Sequence, residues 1–586
     1  MLTLCGLSGR SMRVRLLAIA VAAAALVALG ARAASASTEV LYVDRNDPNC
    51  TDTSAGGTLT QPFCTIKKAA SVATAGQTVQ VASGTYPELV TVSNSGTAGS
   101  PIVINAAPGA SVTVSGQTNG FKLSGKSYVT IHGFTVADTT SYGFYVASSS
   151  SNVTISGNTV TNTASNGIYV TTLSTAVTVS DNTVSGTNGA GIYVNTLSNI
   201  TVSGNTVSDT ASYGIYNRSS SNVTISGNHV SGTQNHGIYV SPSSSDVTVD
   251  DNQVSGATGY GIWTNSSSGV TVSDNAISST TSYGLHVQNS SGVTVSGNDV
   301  SLAGQRASGL IRYGIKLAST TNSLASGNVA HDNSNSGIFL DANTSGVRVT
   351  GNQAFGNARG YTRAAPGIDV RGFDNTVDRN VSHDNEDSGF QFYTGSHDNL
   401  VVDNLAYDNG DHGIDDLGAT NQRIISNTVY GNVAAGINVE GSSTGATIEN
   451  NIAVDNGIDS PRTHGNIRVD STSTTGSTVN YNLVFLSVPD IMYQWGSDKY
   501  GSLQEFRAAT GQESHGDEAD PAFVSVGGRD FHLRTGSPAI DSADSAVSGE
   551  TTTDLEGNPR VDDPATENTG TGPRRYDDRG AYELQP

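Results

Sequence analysis

Ser151-Asn152-Val153-Thr154-Ile155-Ser156-Gly157-Asn158-Thr159-Val160, closed by Gly167-Ile168-Tyr169-Val170, is one copy of a phrase that repeats as far as Asn451. Its asparagine returns at Asn182, Asn205, Asn228, Asn252, Asn275 and Asn298, in steps of 24, 23, 23, 24, 23 and 23 residues. Short β-branched runs divided by Gly, Asn and Ser, at a constant period of this size and without an i, i+3, i+4 pattern, specify a β-solenoid. Each repeat turns its Val and Ile inward, its Asn stacks on the Asn of the coil below, and successive coils rise by about 4.8 Å. The expected fold is all-β, a long right-handed parallel β-helix.

The composition agrees. A chain of 586 residues with 67 Gly, 6% aromatic and 14% charged residues is too long for one ordinary core, whereas a solenoid grows lengthwise and buries each repeat on the next. A formal charge of -22 without Lys and Arg clusters argues against nucleic-acid and acidic-membrane partners and leaves cation binding open. Arg13 and Arg15 ahead of the apolar run from Leu16 to Leu29, then Ala34-Ser35-Ala36, read as a secretory signal over residues 1–36. No other stretch reaches the ~20 apolar residues of a membrane span. The expected mature protein is secreted, extracellular and monomeric, and in that setting Cys50 and Cys64 are expected to form a disulfide.

Around the repeats at 116–484, residues 37–115 read as an N-terminal cap with the first coils and 485–586 as an irregular C-terminal cap. Gln61 to Ala70 has the pattern of a short α-helix that would plug the open end, as repeat arrays require. Beyond Phe485 the period is lost, and Trp495, Phe506, Phe523 and Phe531 appear. The phrases LYVDRNDPNC, GTLTQPFCTIKKAA and GQTVQVASGTYPELV, from Leu41 onward, resemble the entry segment of secreted parallel β-helix proteins, including family nine polysaccharide lyases.

Strand side chains alternate, so the residue two after each repeat Gly forms one outward column. In order it is Tyr169, Tyr193, Tyr216, Tyr239, Trp263, His286, Lys316, Phe339, Asp369, Gln391, Asp415 and Asn438, then Arg468 if Asn466 takes the Gly place. Aromatic residues give way to ionisable ones. One reading is a sugar-stacking platform that runs into a polar reaction centre; the other is a ladder that only stabilises the sheet, by ~0.2–1 kcal/mol per pair. The Gly spacing widens to 30 residues from Gly284 to Gly314, from Gly337 to Gly367 and from Gly436 to Asn466. These insertions leave the same edge, where they either wall a groove or are tolerated loops.

Asp369 to Asp416 holds twelve acidic residues. Asp387 and Asp411 stand two before the Gly on consecutive coils, about 5 Å apart, a repulsion of about 3 kcal/mol at an effective dielectric of about 20. Asp415 adds a third carboxylate from the same strand. A hard cation with oxygen ligands, Ca²⁺ above all, would turn that cost into affinity, and hydrated surface acids are the alternative. Asp416 falls where other repeats place an inward Val, so either the strand bulges or this carboxylate is bound.

At these residues a second likeness enters. Family nine pectate lyases carry an Asp-Asp-Gly-x-Asp calcium motif with another Asp one coil earlier. Asp411-His412-Gly413-Ile414-Asp415 with Asp387 is similar except that His412 replaces one ligand. The resemblance implies a calcium site of Asp387, Asp411 and Asp415, and Asp416, if bound, is expected to join it. It also implies a base at Arg468, in Asn466-Ile467-Arg468-Val469, where the family has Lys; His412 is the second candidate. Guanidinium resists deprotonation. The rungs NVSHDNEDSGF and NLAYDNGDHGI also resemble those of alginate C5-epimerases, and Pro366 to Arg371 partly echoes their catalytic phrase.

The expected function is cleavage of an acidic, uronate-containing polysaccharide by calcium-assisted β-elimination, with Trp263, Lys316, Asp369, Arg371, Gln391, Tyr393 and Asn438 contacting the chain. The rivals are a non-catalytic glycan-binding protein, a C5-epimerase, and an inverting hydrolase using Asp369 or Asp387 with Asp415 at about 6.5–9.5 Å.

Overall fold

A computed structural model of the chain describes residues 39–304, 312–360 and 365–585; the expected signal lies outside them. Each 23- or 24-residue phrase folds as one coil of three short strands. Ser151–Ser156, Thr159–Thr161 and Ile168–Thr171 are followed one coil on by Thr175–Ser180, Thr183–Ser185 and Ile192–Asn195. Pairing is parallel and in register: Val153 lies on Val177, Val160 on Val184 and Ile168 on Ile192. Continued along the chain, this builds three sheets of 18 strands each among the described residues, numbered 1 to 3 here in the order a coil visits them. The architecture is the expected right-handed parallel β-helix, with Val and Ile of all three sheets fully buried in the lumen.

The corner between sheets 1 and 2 explains the repeat's most regular letters. There the backbone turns left-handed at Gly157, Asp181, Gly204, Gly227 and Asp251, a conformation that Gly adopts freely and Asp tolerates. The next residue is the buried Asn. Asn182 Oδ1 accepts the backbone and side-chain N–H groups of Asn158 at 3.0 and 3.1 Å, and Asn182 donates onward to Asn205 Oδ1. The ladder continues to Asn482, whose backbone and side-chain N–H groups end on the two carboxyl oxygens of Glu513 at 3.3 and 2.9 Å. A second ladder, Asn333, Asn357, Asn385, Asn409, Asn432 and Asn456, stacks at the exit from sheet 2 and ends on Asn466 Oδ1. Asn466 stands in the place of the repeat Gly and its amide finishes that ladder, because the next coil has Ser487 where the others have the Asn.

Both ends are closed. Thr65 caps the helix Ile66–Val72, and Ile66, Ala69 and Ala70 are buried against the first coils. The Cys50–Cys64 disulfide is formed as expected. At the far end Phe506, on the helix Leu503–Thr510, stacks on the buried Tyr493 at 4.2 Å. The chain then returns along sheet 2, where Phe523, Phe531, Leu533 and Ile540 pack with Leu405, Ile452 and Leu483. The C-terminal segment thus covers sheet 2, whereas the outward column belongs to sheet 3. Among the described residues no helix is long and apolar enough to cross a membrane.

Candidate active site

Sheet 3 carries the outward column in unbroken register. Tyr239 pairs with Trp263, Trp263 with His286, His286 with Lys316, Phe339 with Asp369, Gln391 with Asp415 and Asn438 with Arg468. In the aromatic stretch the rings lie flat on one another, at 5.0 Å for Tyr169 and Tyr193, 4.6 Å for Tyr193 and Tyr216, and 4.4 Å for Tyr239 and Trp263. A ring stacked on both sides gives its faces to its neighbours and only its edge to solvent. Trp263 is therefore part of a stabilising ladder rather than an open platform for sugars. A second column, absent from the sequence reading, runs beside it from the residue before each Gly: Tyr213, His236, Tyr260, Tyr283 and Tyr313. The recurring Tyr-Gly pair was its signal.

Past this ladder the column changes chemistry. Lys316 Nζ lies 4.8 Å from the Tyr283 ring centre and 5.5 Å from that of Phe339, a cation held by ring quadrupoles. Arg371 does the same over Tyr393 at 4.5 Å and Phe339 at 5.1 Å, and also pairs with the buried Asp369 at 3.0 Å. Asp415 is buried as well, with Gln391 Nε2 donating to one oxygen at 3.0 Å and Asn438 Nδ2 to the other at 2.8 Å. Arg468 donates to Asn438 Oδ1 and Glu440 Oε2, each at 2.6 Å. Gln391, Asn438 and Asp369 thus serve as a supporting layer, and Arg371, Lys316 and Tyr393 reach the surface. Arg468 is an ion-paired cation, an arrangement that opposes its use as a base.

Asp387 and Asp411 meet on adjacent rungs, joined by the Asp411 N–H to Asp387 carbonyl bond of 3.3 Å. Each carboxyl also keeps one oxygen buried without a hydrogen-bond partner, Asp387 Oδ2 and Asp411 Oδ1. Burial first, and then the Asp387 charge, push Asp411 up to about 8; burial likewise raises Asp387. The third insertion, residues 457–465, folds over this pair as a strap. From it the Arg462 guanidinium pairs with Asp411 while its own side chain stays 59% exposed, and Thr463 Oγ1 lies 2.8 Å from His412 Nε2. His412 is buried, which pulls its pKa down to about 3 and keeps the imidazole neutral. Its Nδ1 lies 3.4 Å from Asp411 Oδ2 and 3.7 Å from Asp415 Oδ1. Arg462, Thr463 and Glu440 were missed in the sequence: the 30-residue spacing marked the insertion, but not which of its residues turn inward.

The four acids of the expected calcium set do not converge. Asp416 pairs with Phe392 and Val439 without a bulge, so its carboxyl points into the lumen. There Ser443 Oγ donates to it at 2.9 Å and burial raises its pKa to about 7. Asp415 has both oxygens occupied by amides, and Asp411 already holds a guanidinium. Among the described residues no three Asp, Glu, His or Cys side chains form a metal-binding group. The arrangement does not supply the six to eight oxygens that Ca²⁺ takes.

Residues 174–484, more than half of the chain, match in overlapping stretches a family model described as a right handed beta helix region. The chain belongs to this right-handed β-helix family. Residues 42–191 match a Pel9A-like right handed beta helix region, which contains most of the segment that resembles family nine lyases. The uncharacterized protein YwoF of Bacillus subtilis (strain 168) is 34% identical over 129 residues, 20% of this chain and 27% of that protein. The chain thus spans about a quarter of the length of the curated relative it matches. Among solved structures, the A-module of the mannuronan C-5 epimerase AlgE6 of Azotobacter vinelandii aligns at 15% identity over 58% of this chain and 86% of its own, with a TM-score of 0.37. The periplasmic alginate epimerase AlgG aligns at 16% over 52% and 77%, with a TM-score of 0.36. At these identities and TM-scores the two epimerase structures carry nothing about chemistry.

Proposed function

We propose that the protein is an extracellular lyase that cleaves an acidic, uronate-containing polysaccharide by β-elimination. The observation that carries this is the buried Asp387–Asp411 pair with the Arg462 guanidinium on Asp411, burial raising Asp411 to about 8, and with Arg371 and Arg468 farther along the same face. Removing the proton α to a carboxylate needs a base whose pKa lies near the working pH and fixed positive charge to hold the enolate-like product. Arg462, mostly exposed, can exchange Asp411 for the uronate carboxylate, and Asp411 is then released as the base. Arg468, held by Glu440, adds charge rather than accepting a proton. The Pel9A-like match supports a polysaccharide as the substrate.

A hydrolytic reading is less well supported, because Asp369 is taken by Arg371 and Asp415 by two amides. Calcium, which the motif resemblance implies, would have to displace Arg462 from Asp411. The test is ultraviolet absorbance of unsaturated uronates on pectate, alginate and glycosaminoglycans, with Ca²⁺ and with chelator. Product is expected from one of these polymers, at a rate that rises with pH through about 8 and is lost in Asp411→Asn. Binding without product on every polymer would sink the lyase reading. Activity lost to chelator and restored by Ca²⁺ would return the cation to the site.

A further inference from the structure

We infer that Thr463, His412 and the carboxyls of Asp411 and Asp415 form a hydroxyl–imidazole–carboxylate relay that hydrolyses carboxylic esters borne by the polysaccharide. The β-elimination proposed above uses neither Thr463 nor His412. That the ester sits on a uronate polymer rests on that reading; the ester chemistry does not.

Nucleophilic hydroxyls are recognised by a base within about 2.6–3.2 Å and by a third group that orients the base, often at looser distances before substrate binds. Thr463 Oγ1 is 2.8 Å from His412 Nε2. The Ala435 N–H already donates to the same oxygen at 3.4 Å, so the hydroxyl's own proton is directed at Nε2. His412 then carries its ring proton on Nδ1, which has no hydrogen-bond partner and faces Asp411 Oδ2 at 3.4 Å and Asp415 Oδ1 at 3.7 Å. Those two carboxyl oxygens are the nearest acceptors for the Nδ1 proton and orient the ring. Thr463 is half-buried on the strap while His412 beneath it is fully buried. Substrate and the hydrolytic water would therefore approach from the Thr463 side.

The reaction balances without a cofactor. Thr463 Oγ1 attacks the ester carbonyl carbon as its proton passes to His412 Nε2. The carbon–oxygen bond to the alcohol breaks, and the departing oxygen takes that proton. Water then attacks the acyl-Thr463 ester, gives a proton to Nε2 and displaces Oγ1, which recovers it. The net change is ester plus water to carboxylic acid plus alcohol.

The test is p-nitrophenyl acetate hydrolysis by the full chain, with labelling by an alkyl fluorophosphonate read by peptide mass spectrometry. Nitrophenolate release is expected. Thr463→Ala should lower it at least 100-fold, Thr463→Ser should keep it within tenfold, and the phosphonyl adduct should map to Thr463. Release unchanged in a folded Thr463→Ala chain, or an adduct on another residue, would overturn the relay. If that variant does not fold, the label on the unaltered chain decides. O-acetylated and methyl-esterified pectins then separate the ester sources by release of acetate or methanol. Ester cleavage by a chain that yields no unsaturated uronate would end the lyase reading and leave this one standing; unsaturated product without ester cleavage would do the reverse.

Discussion

Glu513 shows how one side chain can end a structure that otherwise continues. Every Asn in the main ladder both accepts from one neighbour and donates to the next, so the last one needs a partner that accepts twice and donates nothing. A carboxylate meets that need, and Glu513 takes both N–H groups of Asn482 as well as the Tyr493 hydroxyl at 3.2 Å. Glu513→Gln would turn an amide donor toward a donor. We expect a loss of about 1–3 kcal/mol, measured as a lower midpoint of chemical unfolding; an unchanged midpoint would refute the terminator role.

At the scale of the element, the ladder is a continuous polar spine inside an apolar tube. Asn404 accepts from Asn380 twice, at 2.9 and 3.0 Å, and donates to Val377 O, Val402 O and Asn427 Oδ1. Its removal leaves several buried groups unpaired at once. Asn404→Ala is expected to cost at least about 3 kcal/mol, whereas Asn343→Ala, at an exposed turn, should stay within about 0.5 kcal/mol. Similar costs for the two in thermal unfolding would show that the spine contributes no more than a surface turn.

Over the whole molecule, the C-terminal segment is fastened by a buried charge cluster. Arg560 binds Asp403 at 2.8 Å, Glu583 at 3.1 Å and Glu550 at 3.3 Å, all fully buried. Arg560→Met leaves three acids without their counterion. It should cost about 3–5 kcal/mol and open residues 534–585 to limited proteolysis; resistance equal to that of the unaltered chain would contradict this. The buried acids also set the pH response. Burial raises Asp403 and Glu449 to about 8, and Glu513 and Glu583 to about 7, against about 4 in an unfolded chain. Between about pH 4 and pH 8 the folded chain holds more protons than the unfolded one. This stabilisation is therefore fully present at the acidic end and is lost as pH rises. Melting temperature should fall from about pH 5 to about pH 9; a rise across that range would contradict the assignment.

The repeat phrase alone determined the coil, the Asn ladder and the outward column, because a period of 23 or 24 residues leaves each position one place on a rung. It also located the acidic coils and the insertion edge. What only the tertiary structure decided is which groups are buried. In sequence Asp369, Asp387, Asp411 and Asp415 are outward acids, but residues from other coils and from the 457–465 strap cover them. That burial raises the Asp387 and Asp411 carboxyls and recruits Arg371 and Arg462 as counterions. The turn of Asp416 into the lumen was legible as a break in the pattern, while its partner Ser443 lies 27 residues away. Periodicity fixes neighbours along the column. Desolvation depends on what crosses it, and irregular insertions carry no period from which to read that.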